Sequence, residues 1–119
     1  MPKRILFVDD ESDWRFMATA CLNEAGYEVL TAKDATEAMS QSEGAALDAI
    51  ILDVNLAGED GLMLMKFLKR NHPDVPIVLY TGMNHDDAAI QTMLKQGAHQ
   101  YLRKGSMEEL FNTVSKLLK

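Results

Sequence analysis

Three short apolar runs constrain the fold of this chain more than any other feature. They are ILFV at residues 5–8, AIIL at 49–52 and IVLY at 77–80. A strand with one face in water alternates polar and apolar residues, whereas a strand covered on both faces is apolar throughout. The runs therefore predict the central strands of a parallel sheet with helices on both faces.

Helical periodicity fills the segments between these runs, because apolar residues recur at spacings of three and four. The first segment aligns six such residues on one stripe: Trp14, Met17, Ala18, Cys21, Leu22 and Ala25. Ser12 is the predicted N-cap of this helix and Gly26 its stop. Asp34 and Ser106, each followed three positions later by Glu, predict capping boxes at two further helices.

Two mixed strands, at residues 27–32 and 100–103, complete five strand–helix units with helices at 62–70 and 86–96. Mixed strands suit the sheet edges, and right-handed crossovers then give the strand order 2-1-3-4-5. The predicted fold class is α/β, a (βα)5 doubly wound parallel five-stranded sheet of flavodoxin-like arrangement. Residues 1–119 are predicted to form one domain.

Charge and hydropathy exclude several classes of protein. The formal net charge of −6 argues against direct nucleic-acid binding. No apolar run approaches the roughly 20 residues that cross a membrane, and the N-terminal run is too short for a signal peptide. We therefore expect a cytoplasmic protein that does not associate with membranes.

Several single residues are predicted to be structural. Cys21 is expected to be a small core residue, since a lone cysteine cannot form an internal disulfide. The eight methionines are expected mostly in the core, although Met63 and Met65 cannot both face inward. The three histidines lack metal-ligand spacing and are predicted to lie at the surface: His72, His85 and His99.

Polar residues follow four of the five predicted strands. Asp9 and Asp10 come after the first strand, Asp53 after the third, Thr81 after the fourth and Lys104 after the fifth. The carboxyl ends of parallel strands meet at one edge, where ligands of such sheets bind. The alternative interpretation is a set of solvated strand-end acids. The convergence of five polar residues favours a site.

The chemistry of this set points to phosphoryl transfer. Neighbouring carboxylates disfavour one another's charge unless a cation compensates, and an oxygen-only set suits Mg²⁺. A carboxylate can act as the nucleophile toward phosphorus, and the transition state needs positive charge around its oxygens. Asp53 follows the central strand and is the predicted nucleophile, while Lys104 and Thr81 supply an ammonium and a hydroxyl.

At four points the chain resembles the response-regulator receiver domain of two-component signalling. The matching pieces are FVDDE, the segment DVNLAGEDG from residue 53 to 61, YTG, and GAHQYLRK ending at Lys104. The resemblance covers the whole chain. It implies that Asp53 is the phosphoacceptor, that Thr81 follows the phosphoryl group on activation, and that Lys104 pairs with it.

The resemblance also implies a metal site and a switch. Asp10 would bind Mg²⁺ directly, Asp9 mainly through water, and Asp53 and the main-chain carbonyl of Asn55 would complete the ligands. Tyr101 matches an aromatic residue that changes rotamer between the two states. Asn55 and Met83 match positions that tune the lifetime of the phosphoryl group before self-dephosphorylation.

The implied partners follow from the same resemblance. The phosphoryl donor would be a sensor histidine kinase or a histidine phosphotransfer domain. An output domain or a target protein would recognise the face formed by the fourth helix, the fifth strand and the fifth helix.

Two positions depart from the family pattern. Ala57 and Gly105 stand where the family usually has proline. Because a non-proline cis peptide bond costs about 3–4 kcal/mol, we expect a trans bond between Lys104 and Gly105, or a strained cis bond.

Other functions remain open at the sequence level. The departures leave room for a receiver-like interaction module that works without phosphorylation. A phosphatase with an aspartate nucleophile would use an acid two residues after that aspartate, a spacing that Asp9 and Glu11 match only loosely. A flavin-binding protein would have a loop rich in Ser, Thr and Gly after the first strand, whereas this loop is acidic.

Overall fold

The computed structural model describes residues 2–56 and 58–119 and contains a five-stranded sheet. Its strands are β1 Arg4–Val8, β2 Glu28–Ala32, β3 Ala49–Leu52, β4 Ile77–Thr81 and β5 Gln100–Arg103. Its helices are α1 Ser12–Glu24, α2 Ala35–Ser42, α3 Gly61–Asn71, α4 Asp87–Lys95 and α5 Met107–Leu117. The strand order is β2-β1-β3-β4-β5 with parallel pairing throughout, which confirms the predicted fold class.

Two apolar cores lie on opposite faces of the sheet. Successive side chains of β1 point to opposite faces, so Leu6 packs in the core beneath α2, α3 and α4, and Phe7 packs in the core beneath α1 and α5. This division explains the wholly apolar runs, because β1, β3 and β4 are covered on both sides.

Backbone pairing continues one residue beyond the strands at their carboxyl ends. The Asp9 amide donates to the Ala32 carbonyl at 3.0 Å, and the Asp53 amide donates to the Val8 carbonyl at 3.0 Å. The Lys104 amide donates to the Thr81 carbonyl at 2.8 Å. The predicted site residues are therefore anchored to the rim of the sheet.

A small antiparallel hairpin follows β3, which the sequence analysis missed. Asn55–Leu56 pairs with Glu59–Asp60, and α3 begins directly afterwards at Gly61. Asp60 caps α3, since its Oδ1 accepts hydrogen bonds from the amides of Leu62 and Met63. The departure at Ala57 falls outside the described residues.

Helix α1 differs from its prediction at both ends. Glu11, not Ser12, occupies the N-cap position, because Asp9 Oδ1 accepts from the Glu11 amide and closes the turn before the helix. Ala18 and Leu22 are buried as expected, but Met17 is 40% exposed since it lies about 100° around the helix from Ala18. Ala25 is exposed because it follows the last helical turn.

The methionine prediction is largely wrong. Met65 and Met93 are buried, whereas the exposed large apolar residues include four methionines: Met17, Met39, Met63 and Met83. One of the pair Met63 and Met65 is exposed, as expected. Cys21 and two of the histidines, His72 and His85, are half-buried. In the described part of the chain, no helix combines the length and apolar content needed to cross a membrane.

Candidate functional site

Four acidic side chains meet at the carboxyl edge of the sheet. Asp9 and Asp53 are buried, at 1% and 4% exposure, Asp10 is half-buried and Glu11 is exposed. One ligand oxygen from each of the four lies within 4.8 Å of the others. The structure thus brings together the three aspartates predicted to form the site and adds Glu11.

The ammonium of Lys104 lies inside this acidic cluster. Its Nζ is 2.7 Å from Asp9 Oδ2, 2.8 Å from Asp53 Oδ2 and 3.4 Å from Glu11 Oε1. The Lys104 side chain is only 6% exposed, and the Trp14 ring covers it at 5.2 Å from the ring centroid. A cation on an aromatic face gains electrostatic stabilisation. Trp14 therefore helps to hold Lys104 over the carboxylates.

Burial and ion pairing act against each other on the pKa values of Asp9 and Lys104. Loss of hydration raises the pKa of Asp9, although the ammonium of Lys104 opposes the shift. Burial alone would lower the pKa of Lys104, but hydrogen bonding to Asp53 and contact with Asp9 outweigh it and raise that pKa. Lys104 is therefore a permanent cation at neutral pH.

The donor set fits a hard divalent cation. Asp9 Oδ2 is buried and lies 2.7 Å from the Lys104 ammonium. Clustered carboxylate oxygens suit Mg²⁺, which takes oxygen ligands. Asn55 lies beside the cluster, because its amide donates to Asp53 Oδ1 at 3.1 Å.

Thr81 is joined to Tyr101 through the loop that follows β4. The buried Thr81 Oγ1 accepts from the Met83 amide at 3.2 Å. The Tyr101 hydroxyl donates to the Met83 carbonyl at 3.1 Å. His85 Nδ1 lies 2.6 Å from the same hydroxyl, and the His85 ring packs edge-to-face against Tyr101 at 5.6 Å. A continuous series of contacts thus connects the site to the surface.

The peptide bond after Lys104 is trans, in line with the expectation for a non-proline residue at 105. A Cβ added to Gly105 would meet nothing within 4 Å, so the glycine is not required sterically.

Sequence reasoning missed the contributions of Trp14, Arg15 and His85. Trp14 lies on the predicted helix stripe and also covers the Lys104 ammonium, and Arg15 donates from Nη1 to the Asp9 carbonyl at 2.8 Å. Both residues closely follow the acidic turn in the sequence, which indicates that they can contact it. No sequence pattern indicated a role for His85, because Tyr101 lies sixteen residues away and the two meet only when the sheet forms.

Comparison with known proteins gives consistent matches over nearly the whole chain. Residues 5–115 match the profile of the family described as "Response regulator receiver domain". The nitrogen assimilation regulatory protein NtrX of Azorhizobium caulinodans is 36% identical over 106 residues, which are 87% of this chain and 23% of that protein. The phosphate regulon transcriptional regulatory protein PhoB of Pseudomonas aeruginosa is 38% identical over 104 residues, 86% of this chain and 45% of that protein. The chain thus spans less than half the length of these curated relatives.

Solved structures share the fold. The chemotaxis protein CheY4 of Vibrio cholerae superposes with a TM-score of 0.91 at 31% identity, covering 99% of this chain and 100% of that one. NtrX of Brucella abortus gives a TM-score of 0.89 at 31% identity, covering 99% of this chain and 27% of that one.

Proposed function

The chain belongs to the response regulator receiver domain family, and on that premise we propose that it is a phosphorylation-dependent signalling switch with Asp53 as its phosphoacceptor. The observation that carries the proposal is the environment of Asp53. It directly follows the central strand β3, is 4% exposed, and has its Oδ2 2.8 Å from Lys104 Nζ. A shielded carboxylate beside a fixed cation is suited to attack phosphorus.

The two oxygens of Asp53 have different partners, which orients the carboxylate. Oδ1 accepts from the Asn55 amide, and Oδ2 contacts Lys104. In the proposed transfer, one Asp53 oxygen bonds to phosphorus while the bond from phosphorus to the donor histidine nitrogen breaks. The electron pair of that bond stays on the imidazole. Lys104 neutralises charge on the phosphoryl oxygens, and the Thr81 hydroxyl donates to one of them.

The residues that would hold Mg²⁺ are Asp9, Asp10, Asp53 and the main-chain carbonyl of Asn55. The oxygen-only donor set of the acidic cluster supports this assignment. Bound Mg²⁺ supplies positive charge to the phosphoryl oxygens. Self-dephosphorylation requires water to reach phosphorus, and Asn55 and Met83, both exposed beside the site, tune that access.

The donor is a sensor histidine kinase or a histidine phosphotransfer domain. Movement of Thr81 toward the phosphoryl group disturbs its contact with the Met83 amide, and thereby the Met83 carbonyl that holds Tyr101. The consequence is a change at the α4–β5–α5 face, which an output domain or a target protein recognises.

Incubation with acetyl phosphate and Mg²⁺, followed by intact-mass measurement, tests the proposal. We expect the mass of one added phosphoryl group, its loss in Asp53→Asn, and its retention in Asp74→Asn. Asp74 is an exposed aspartate in the turn before β4, at the opposite edge of the sheet. No added mass, or a gain that persists in Asp53→Asn, would contradict the proposal. Partner binding that ignores both Asp53→Asn and beryllofluoride would instead favour a phosphorylation-independent interaction module.

A further inference from the structure

Exposed apolar side chains gather between α2 and α3. Met39 of α2 is 37% exposed, and Met63 and Phe67 of α3 are 63% and 41% exposed. Met39 and Phe67 line two adjoining cavities of about 450 and 390 Å³, and Met63 lines the second. We call the surface formed by these three residues the α2–α3 groove. It lies outside the α4–β5–α5 face, so the proposed switch does not account for it.

The described charged side chains that line the α2–α3 groove are carboxylates, while the exposed Lys66 and Arg70 of α3 lie outside its cavities. Among the described residues, the carboxylates of Glu43, Glu59 and Asp60 line its cavities, and no lysine or arginine does. An acidic rim repels nucleic acid and anionic lipid and attracts a basic segment. The charge of the groove therefore favours a positively charged polypeptide as its binding partner.

The backbone around the α2–α3 groove limits which conformation a bound segment can adopt. α2 and α3 are helices, and the main-chain groups of their middle turns bond along the helix axis, so an extended segment cannot pair with them as it would with a strand edge. A segment that satisfies its own backbone and presents an apolar face is an amphipathic helix. Methionine side chains adapt their shape to such partners.

We propose that the α2–α3 groove binds an amphipathic helix of a partner protein, with large apolar side chains on one face and lysine or arginine beside them. Met39, Met63 and Phe67 contact the apolar face, and Glu43 and Glu59 pair with the basic side chains.

The test titrates unphosphorylated protein, labelled with ¹³C at the methionine methyl groups, with a synthetic helical peptide of about 18 residues. The peptide has leucines on one face and lysines elsewhere. We expect saturable shifts of the Met39 and Met63 methyl signals, while Met17 and Met83, exposed on other surfaces, stay unchanged. Binding should weaken with added salt. Because no phosphoryl group is present, failure of Asp53 to accept phosphate would leave this proposal standing.

Matched variants sharpen the test. Met63→Lys should weaken binding about tenfold or more, and Glu43→Gln should weaken it less. Met17→Lys makes the same substitution at an exposed methionine of α1 and should leave binding unchanged. Thermal unfolding checks that all three variants remain folded.

Three outcomes would overturn the proposal. The first is equal binding of a scrambled peptide of the same composition, and the second is equal shifts of all four exposed methionines. The third is a concentration-dependent shift of Met39 and Met63 without peptide, together with slower diffusion, which would show that a second copy of this chain occupies the groove.

Discussion

The Lys104 side chain balances the negative charge of the acidic site. Its ammonium contacts Asp9 and Asp53 at 2.7 and 2.8 Å while almost fully buried. Two buried carboxylates without a counter-ion would be strongly unfavourable. Lys104 therefore compensates the negative charge of the fold, and Trp14 keeps the ammonium in place from above.

Substitution of Lys104→Met should destabilise the protein in metal-free buffer by about 3–5 kcal/mol, because it leaves Asp9 and Asp53 as unpaired buried charges. Urea unfolding in the presence of a chelator measures the change. The control is Lys66→Met, which alters an exposed lysine of α3. A loss below about 1 kcal/mol would show that Lys104 does not compensate these carboxylates.

His85 is predicted to hold Tyr101 in its observed rotamer. His85→Phe keeps an aromatic ring against Tyr101 but removes the Nδ1 contact at 2.6 Å, and among the described residues the Met83 carbonyl then remains as partner of the hydroxyl. We expect the ¹⁹F signal of fluorotyrosine at position 101 to shift, with a stability cost of about 0.5–1.5 kcal/mol. The signals of Tyr27 and Tyr80 should not move.

His99→Phe provides the control for that experiment, since His99 is an exposed histidine just before β5. An unchanged Tyr101 signal in His85→Phe would mean that Met83 alone sets the rotamer.

The position of Asp53 depends directly on the loop between β3 and α3. A Cβ placed on Gly61 would lie 2.5 Å from the Val54 carbonyl oxygen and 2.6 Å from the Asp53 carbonyl oxygen. The Gly61 amide also donates to the Val54 carbonyl at 3.0 Å. Only glycine allows α3 to begin this close to the end of β3 and to Asp53.

Gly61→Ala should therefore destabilise the protein by about 1–3 kcal/mol, even though alanine is the better helix former. The displaced loop should also slow phosphorylation of Asp53 by acetyl phosphate. Thermal unfolding and intact-mass time courses measure the two effects. Gly105→Ala, where an added Cβ has open space, should change neither the stability nor the peptide bond. Wild-type stability in Gly61→Ala would mean that the loop relaxes without cost.

The whole molecule carries a formal charge of −6, and its four clustered acids concentrate part of that charge at one edge of the sheet. A cation that binds only the folded state stabilises it by mass action. Mg²⁺ bound at the proposed site would therefore couple metal binding to folding.

Mg²⁺ at one hundred times its dissociation constant should raise the free energy of unfolding by about 2.7 kcal/mol, and a chelator should reverse the gain. Thermal unfolding with and without Mg²⁺ measures this. Asp10→Asn should reduce the gain, because it removes a carboxylate ligand, whereas Asp74→Asn should retain it. A full gain in Asp10→Asn would place the metal elsewhere.

The sequence by itself determined the sheet order and the convergence of Asp9, Asp10, Asp53 and Lys104. Strands buried on both faces must be apolar throughout, and parallel strands must end at one edge. Tertiary structure alone decided which apolar residues stay exposed, such as Met63 and Phe67, because helix periodicity does not say how much of each face a neighbouring helix covers. It also decided the contacts of Lys104 with Trp14 and of His85 with Tyr101, since these partners meet only when distant segments pack together.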